Sequence, residues 1–290
     1  MELANPSKFD RPDRFAQTCQ VLQATRIGRT ASNLLTARDG RGKILAVVSN
    51  AAYLMTDHGE LFWLAREGLP AHSRAILAPF DENMLCVGMA FAARDAHLQI
   101  AGRVMIECAS VERWTPAPIT PAHAAPPGVV SARVLEVETL TKCATSLPIA
   151  EIEHACHNQD SAAIMAQSEK LIGLGTGLTP AGDDFVGGLL FVAHHLKIAY
   201  PGAFHWEQSP IDDLLDYARA RTNQISYAIL HDHARGEGVE PLHNLTTAIL
   251  DYQDRDDIMT HARRLLEIGS MSGAEMLAGA LTGMLLMVSL

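Results

Sequence analysis

The sequence predicts an α+β protein, in which an antiparallel β-rich domain, a barrel or a sandwich, is followed by an α-helical domain. Short apolar runs recur in the first part and are separated by turn residues such as Asp39-Gly40 and His58-Gly59. Further on, the apolar residues repeat with the period of a helix. Five of the fourteen prolines lie in between, which is typical of an extended connector. We therefore predict a β-rich domain over 1–114, a connector over 115–128 and a helical domain over 129–290.

The individual elements follow from the same two patterns. Turn signals bound each strand candidate, and Gly or Pro interrupts the helix candidates. The predicted strands are 44–48, 60–65, 84–89 and 98–104. The predicted helices are 131–144, 149–156, 161–171, 180–198, 211–232, 242–252, 256–266 and 273–288.

Composition narrows the classes of partner. The 290 residues include 33 acidic and 23 basic ones, which gives a formal net charge of −10 at pH 7, and no basic run occurs. Binding to nucleic acid or to an anionic membrane depends on clustered Lys and Arg, so we expect neither partner. Residues 1–14 lack the apolar core of a signal peptide, and five dispersed cysteines without a CxxC pair fit a reducing compartment. We expect a soluble, cytoplasmic protein.

The segment 174–185, LGTGLTPAGDDF, is the strongest candidate for a functional site. Its glycines allow a backbone to approach a ligand closely. Thr179 and Pro180 are expected to be the N-cap and the first residue of a helix, whose free N–H groups can bind an anion. The segment lacks the lysine of a P-loop and follows a helix rather than a strand, which excludes both common nucleotide-binding loops. The alternative is an ordinary junction between two helices, with acidic residues that favour the helix dipole.

We assign roles within this segment by residue type. The predicted substrate-binding residues are Gly175, Thr176, Gly177 and Gly182, and the predicted catalytic residues are Thr179, Asp183 and Asp184. Adjacent helical residues point about 100° apart, so the two aspartates do not readily share one metal ion. No spacing typical of zinc ligands occurs, and we expect no metal or other cofactor, with Mg²⁺ left open.

Two further polar segments have a related composition. Ser270, Ser272 and Gly273 precede a predicted helix, where either serine could be its N-cap. Arg221, Asn223 and Ser226 interrupt an amphipathic helix, where polar residues usually face solvent. We predict all six as substrate-binding residues. We also expect the two glycine-containing helix starts to converge on one pocket for a small anion, with Arg221 as a candidate partner of a carboxylate or phosphate.

Three motifs occur in a fixed order: Thr179-Pro180-x-Gly182-Asp183-Asp184 in the glycine loop, Thr222-x-x-x-Ser226, and Ser272-Gly273-x-x-x-Leu277-Ala278-Gly279. Together they resemble the family of the AllH-type subunit of oxamate carbamoyltransferase, a bacterial family of allantoin catabolism and thus of purine degradation. The resemblance covers most of the helical part and, more loosely, the β-rich part.

The resemblance implies a subunit of a multi-component cytoplasmic transferase. It would act with an FdrA-like partner, itself similar to acyl-CoA synthetases, and with a companion subunit. The reaction implied is phosphorolysis of a carbamoylated 2-oxo acid amide, which gives oxamate and carbamoyl phosphate. The family supplies no catalytic residues, so the roles above rest on residue chemistry alone.

Three functions are therefore compatible with the sequence. The chain is a carbamoyltransferase subunit that takes a small anionic substrate and phosphate, or a non-catalytic metabolite-binding or scaffold subunit, or a hydrolase that uses Asp183 and Asp184 with Mg²⁺ or Mn²⁺. Formation of a homo-oligomer is left open. The transferase lacks one expected feature, because no cluster of Arg or Lys lies near the glycine loop to neutralise phosphate.

Overall fold

The computed structural model of the chain describes residues 19–36, 40–142, 145–202, 206–251 and 254–287. The predictions for residues 1–14, for Cys143 and for the ends of the helices 131–144, 242–252 and 273–288 lie outside these residues. Among the described residues, strands occur only up to Trp114, and the long run of helices begins at Pro127. The predicted α+β class is confirmed.

The β-rich half consists of one ten-stranded sheet that curls into a half-barrel. Its strands are β1 Gln20–Gln23, β2 Arg26–Gly28, β3 Gly40–Val48, β4 Ala51–Thr56, β5 Leu61–Arg66, β6 Ala75–Ala78, β7 Ala90–Arg94, β8 His97–Ile100, β9 Val104–Glu107 and β10 Glu112–Trp114. They are ordered β1-β9-β8-β7-β3-β4-β5-β6-β2-β10. Helix α1 (Arg29–Thr36) packs on one face, and the other face carries Ala51, Trp63 and Trp114.

The sheet is mostly antiparallel, as predicted, but three pairs of strands are parallel: β1 with β9, β2 with β10, and β5 with β6. The predicted strands at 44–48 and 60–65 are present. The predicted strand at 84–89 is wrong, because a short 3-10 helix, capped by the Asp81 side chain, ends at Met84 and a turn follows at 87–88. The predicted strand at 98–104 is a hairpin, since Ala101 and Gly102 adopt positive φ and reverse the chain.

Nine further helices form the described part of the helical half. They are α2 Pro127–Thr141, α3 Ala150–His157, α4 Ser161–Ser168, α5 Ala181–Ala199, α6 Gln208–Arg219, α7 Gln224–His233, α8 Glu240–Leu250, α9 Arg255–Leu266 and α10 Ser272–Met284. The predicted helix 211–232 is two helices, because the Asn223 side chain accepts from Ile225 N and Ser226 N and starts α7 anew. No helix in the described ranges has both the length and the apolar character needed to span a membrane.

Helices α5 and α10 form the centre of this half, and their backbones touch. A Cβ atom on Gly279 would lie 1.8 Å from Phe185 O, and one on Gly188 would lie 2.2 Å from Met276 O. Only glycine fits at such a contact. Almost every residue of both helices is buried, so the pair is the core around which the other helices pack.

A polar seam joins the two halves. Arg74, before β6, donates through Nε and Nη2 to both carboxylate oxygens of Asp232 on α7, with Nη2–Oδ1 at 2.6 Å. Burial alone would raise the pKa of Asp232, but the hydrogen bonds and charge of Arg74 hold it well below its usual range. Glu240 at the start of α8 binds Arg26 Nη1 at 3.1 Å and accepts from Ala71 N at 3.1 Å. These contacts fix the sheet against α7 and α8.

Four buried histidines line the seam. The rings of His195, His233 and His243 pack around Phe191, and that of His72 packs on Trp63. Burial lowers the pKa of His195 and of His233 to about 4, that of His72 to about 3 and that of His243 to about 2. Ring nitrogens Nδ1 of His195 and His233 and Nε2 of His72 have no hydrogen-bond partner. The cluster is therefore neutral at pH 7 and poorly suited to take up protons.

Replacement of Gly279 by Ala should destabilise the fold by about 1–3 kcal/mol, because the added methyl group meets backbone rather than a movable side chain. Urea denaturation monitored by circular dichroism measures the change. Gly128→Ala is the matched control, since Gly128 lies in helix α2 with open space around it. That variant should gain about 0.5–1 kcal/mol from helix propensity. Equal losses in both variants would contradict the close contact.

Acid should destabilise the protein through the histidine cluster. The pKa values of these histidines in the folded state lie below the unfolded value of 6.5. The stability of the fold is therefore fully kept above pH 6.5 and is lost as the pH falls towards 4, because the unfolded chain binds more protons. Each histidine adds about 1.4 kcal/mol per pH unit to the slope. Urea denaturation between pH 5 and 6 measures the free energy of unfolding at each pH. Its slope against pH should be smaller by about this amount in His195→Gln. The exposed His58→Gln is the control and should keep the full slope.

Candidate functional site

The two predicted glycine-containing loops meet at the start of α5 and α10. The hydroxyl oxygens of Thr179 and Ser272 are 2.8 Å apart and hydrogen-bonded to each other. Both side chains also hydrogen-bond to Asp184 on the first turn of α5. Residues 93 positions apart in the chain thus share one small polar site.

The helix starts that build this site differ from the predicted ones. Pro180 is the N-cap of α5 and Met271 is the N-cap of α10, and neither start has a side-chain cap. The predictions that Thr179 or one of the two serines caps a helix are wrong. The hydroxyls of Thr179 and Ser272 instead turn towards each other and towards Asp184. Each hydroxyl carries a single proton, so it donates to a ligand at this point only in place of its present partner.

The predicted anion cradle at the start of α5 is largely occupied by the chain itself. Gly182 N donates to Leu174 O at 2.9 Å, and the N–H groups of Asp183 and Asp184 donate to Pro180 O at 3.0 and 3.1 Å. A Cβ on Gly182 would lie 1.9 Å from Leu171 O, so this glycine is needed for packing.

The glycine loop itself remains a candidate binding surface. Gly175, Thr176 and Gly177 are exposed, and both glycines have positive φ, at 122° and 100°. The exposed loop stays a predicted ligand contact.

Asp183 is a structural link. Its Oδ1 accepts from Gly173 N at 2.7 Å, and its Oδ2 accepts from Ser226 Oγ at 2.6 Å and from the hydroxyl of Thr222. The side chain is 3% exposed and ties the glycine loop and the α6–α7 break to α5. These bonds account for both polar residues of the second motif, Thr222 and Ser226.

Asp184 has the opposite character. It is 4% exposed, and its Oδ2 has no hydrogen-bond partner. Burial raises the pKa of Asp184 to about 7, and the charges of Asp183 and Glu275 add to this, while hydrogen bonds from Ser272 and Thr179 oppose it. The two adjacent aspartates therefore face different partners.

Two site residues were missed by the sequence analysis. Glu275 is 2% exposed, interacts with Asp184 and leaves its Oε2 without a hydrogen-bond partner. Its position three residues after Ser272, on the same face of a helix, is a signal that could have identified it.

The second missed residue comes from the β-rich half. Tyr53 on β4 packs near Trp63, and burial raises the pKa of its phenol, to which the charge of Asp184 adds. No local sequence pattern could have linked Tyr53 to Asp184, because this electrostatic influence acts between the two halves of the chain.

The remaining predicted residues have defined surroundings. Asn223 caps α7 and donates from Nδ2 to Leu178 O at 2.8 Å, which holds the glycine loop in place. The Arg221 guanidinium lies over the ring of Tyr217, 4.9 Å from its centroid. Ser270 is exposed. A Cβ on Gly273 would lie 1.9 Å from Leu265 O, so Gly273 is required for packing against α9.

The arrangement limits the chemistry available to the site. Within the described ranges, no group of three or more His, Cys, Asp or Glu side chains is arranged to hold a metal ion. The site instead offers two hydroxyl donors and two buried carboxylates with unsatisfied oxygens.

The fold and the site define an α+β protein whose polar site is formed by two loops at the start of two central helices. Residues 171–284 match the family model described as oxamate carbamoyltransferase subunit AllH. The match includes the glycine loop, Asp183, Asp184 and the start of α10, and the resemblance drawn from the three motifs is confirmed. The chain is thus similar to an AllH-type subunit through this part. No curated protein and no solved structure matches the chain.

Replacement of each aspartate should separate the two roles. Asp183→Ala leaves three donors without an acceptor and should destabilise the fold by about 3 kcal/mol. Asp184→Asn removes a buried negative charge, and Oδ2 of Asp184 has no hydrogen-bond partner among the described residues. The free energy of unfolding should therefore fall by less than about 1 kcal/mol or rise. Thermal and urea unfolding of both variants measure this difference. A larger loss in Asp184→Asn than in Asp183→Ala would reverse the assignment.

Proposed function

We propose that the chain is the subunit of a carbamoyltransferase complex that carries the site for a small ureide or oxamate-type substrate and phosphate, giving carbamoyl phosphate. The observation that supports this most directly is the contact of the Thr179 and Ser272 hydroxyls at Asp184. All three residues lie within the stretch that matches the AllH family.

The chemistry of the transfer fits these groups. A phosphate oxygen attacks the carbamoyl carbon, the bond from that carbon to the amide nitrogen breaks, and the nitrogen takes up the proton that phosphate gives up. Negative charge develops on the carbamoyl oxygen, where the hydroxyls of Thr179 and Ser272 can donate. The Asp184 carboxylate can accept from the carbamoyl NH₂ group and orient it. The mechanism needs no covalent nucleophile from the protein.

The surface beside the loops supports a complex with other subunits. Leu174 in the glycine loop is 45% exposed and Met271 at the start of α10 is 57% exposed. Exposed apolar side chains that flank a site are typical of a contact surface. We propose that an FdrA-like subunit and a companion subunit act with this chain in the cytoplasm.

The transfer should depend on the two hydroxyls. In the assembled complex, Thr179→Val and Ser272→Ala should each lower the rate of carbamoyl phosphate formation about 100-fold, because each removes one donor to the developing charge. Thr179→Ser keeps the hydroxyl and should retain most of the rate. Ser110→Ala is the control for Ser272→Ala, since Ser110 is an exposed serine of the β-rich half, outside the predicted site.

Two results would contradict the proposal. Full activity of both Thr179→Val and Ser272→Ala would remove the site assignment. Turnover by the partner subunits without this chain would instead favour the non-catalytic binding or scaffold role.

A further inference from the structure

We propose that Asp184 and Glu275, together with the hydroxyls of Thr179 and Ser272, bind a hard divalent cation of the Mg²⁺ or Mn²⁺ class between α5 and α10. The sequence predicts no metal, with Mg²⁺ left open, and offers only Asp183 and Asp184 as a pair for a divalent ion. In the structure, Asp184 of α5 instead lies near Glu275 of α10.

Unsatisfied oxygens are the first observation. Asp184 and Glu275 are 4% and 2% exposed, and Oδ2 of one and Oε2 of the other have no hydrogen-bond partner in the described chain. Buried carboxylate oxygens in folded proteins are almost always hydrogen-bonded or coordinated. Two such atoms at one place point to a ligand that both of them contact.

The geometry of α10 places the two carboxylates together. Ser272, Glu275 and Gly279 lie on one face of the helix, at positions i, i+3 and i+7. Ser272 hydrogen-bonds to Asp184, and Gly279 meets the carbonyl of Phe185, the next residue of α5. Glu275 lies between these two points of contact and therefore faces α5 beside Asp184.

The charges around the two carboxylates indicate that the ligand is a cation. No Arg or Lys side chain forms an ion pair with Asp184 or Glu275 in the described part of the chain. By contrast, the buried Asp232 of the seam is neutralised by Arg74. Two neighbouring carboxylates in a buried site repel each other strongly, and a bound cation removes the repulsion and coordinates both free oxygens.

The ligand set indicates which cation. Carboxylate and hydroxyl oxygens without His or Cys favour a hard ion over zinc. Mg²⁺ in enzymes is commonly held by one or two carboxylates, by waters and by the phosphate of the substrate. Two carboxylates at the edge of a site that opens through the half-exposed Thr179 and Ser272 match this pattern.

The cation would also supply a charge that the site lacks. Phosphate cannot be held next to two carboxylates without a positive group, and the sequence offers no cluster of Arg or Lys near the loop. This role of the cation in the transfer rests on the proposed function, whereas cation binding itself does not.

Titration of the metal-free full chain with Mn²⁺, followed by electron paramagnetic resonance of the free and bound ion, tests the site. We expect one Mn²⁺ per chain, displaced by Mg²⁺, and binding at least tenfold weaker in Asp184→Asn and in Glu275→Gln. Asp256→Asn is the control, because Asp256 is an exposed aspartate in the first turn of α9. The Mn²⁺ affinity of this variant should be unchanged. Pulsed spectra of the bound ion should show no coupling to a histidine nitrogen.

Three results would overturn the proposal. Absence of Mn²⁺ binding, together with a higher melting temperature of Glu275→Gln, would show that a shared proton neutralises the pair. Equal loss of binding in Asp256→Asn would indicate ions at the surface, and nitrogen coupling would place the ion at the histidine cluster. The titration needs no partner subunit, so its failure leaves the transferase proposal standing. Intact Mn²⁺ binding without carbamoyl phosphate formation would overturn the transferase proposal alone.

Discussion

The backbone contact between α5 and α10 is the constraint on which the candidate site depends. Gly279 against Phe185 O and Gly188 against Met276 O bring two helices closer than any side chain would allow. The residues that precede these contacts, Asp184 and Glu275, are consequently forced into one buried space. Their carboxylates are buried, and no basic side chain among the described residues forms an ion pair with them. The glycines thus determine the electrostatics of the site as well as its packing.

Two adjacent aspartates show how far residue type alone can determine function. Asp183 and Asp184 have the same chemistry and neighbouring positions, yet the helix turns them about 100° apart. Asp183 meets three protein donors and holds the loop, whereas Asp184 meets two hydroxyls and a second carboxylate. A motif that contains both residues therefore combines a structural requirement with a chemical one. Thr222 and Ser226 belong to the structural part, because both bind Asp183.

Periodicity predicted the α+β class and most helices, since each depends on residues close together in the chain. The predicted helix 211–232 failed at Asn223, where a side-chain cap outweighs an otherwise continuous amphipathic pattern. The loops that form the site were identified from their glycines and hydroxyls. Glu275 was visible only as an acidic residue in a first turn, and its role depends on the contact with α5. Tyr53 had no local signal, because its link to Asp184 is an electrostatic influence from the other half of the chain.

The hydrogen bonds at the start of α5 bear on how an anion could bind. Gly182, Asp183 and Asp184 use their N–H groups within the chain, so the helix start does not offer three free donors. The remaining donors are the Thr179 and Ser272 hydroxyls, which carry no charge. Beside two carboxylates, neutral donors alone do not offset the repulsion of a phosphate group. The positive charge must therefore come from outside the described side chains of the site. The cation proposed on Asp184 and Glu275 would supply it where the free oxygens already lie.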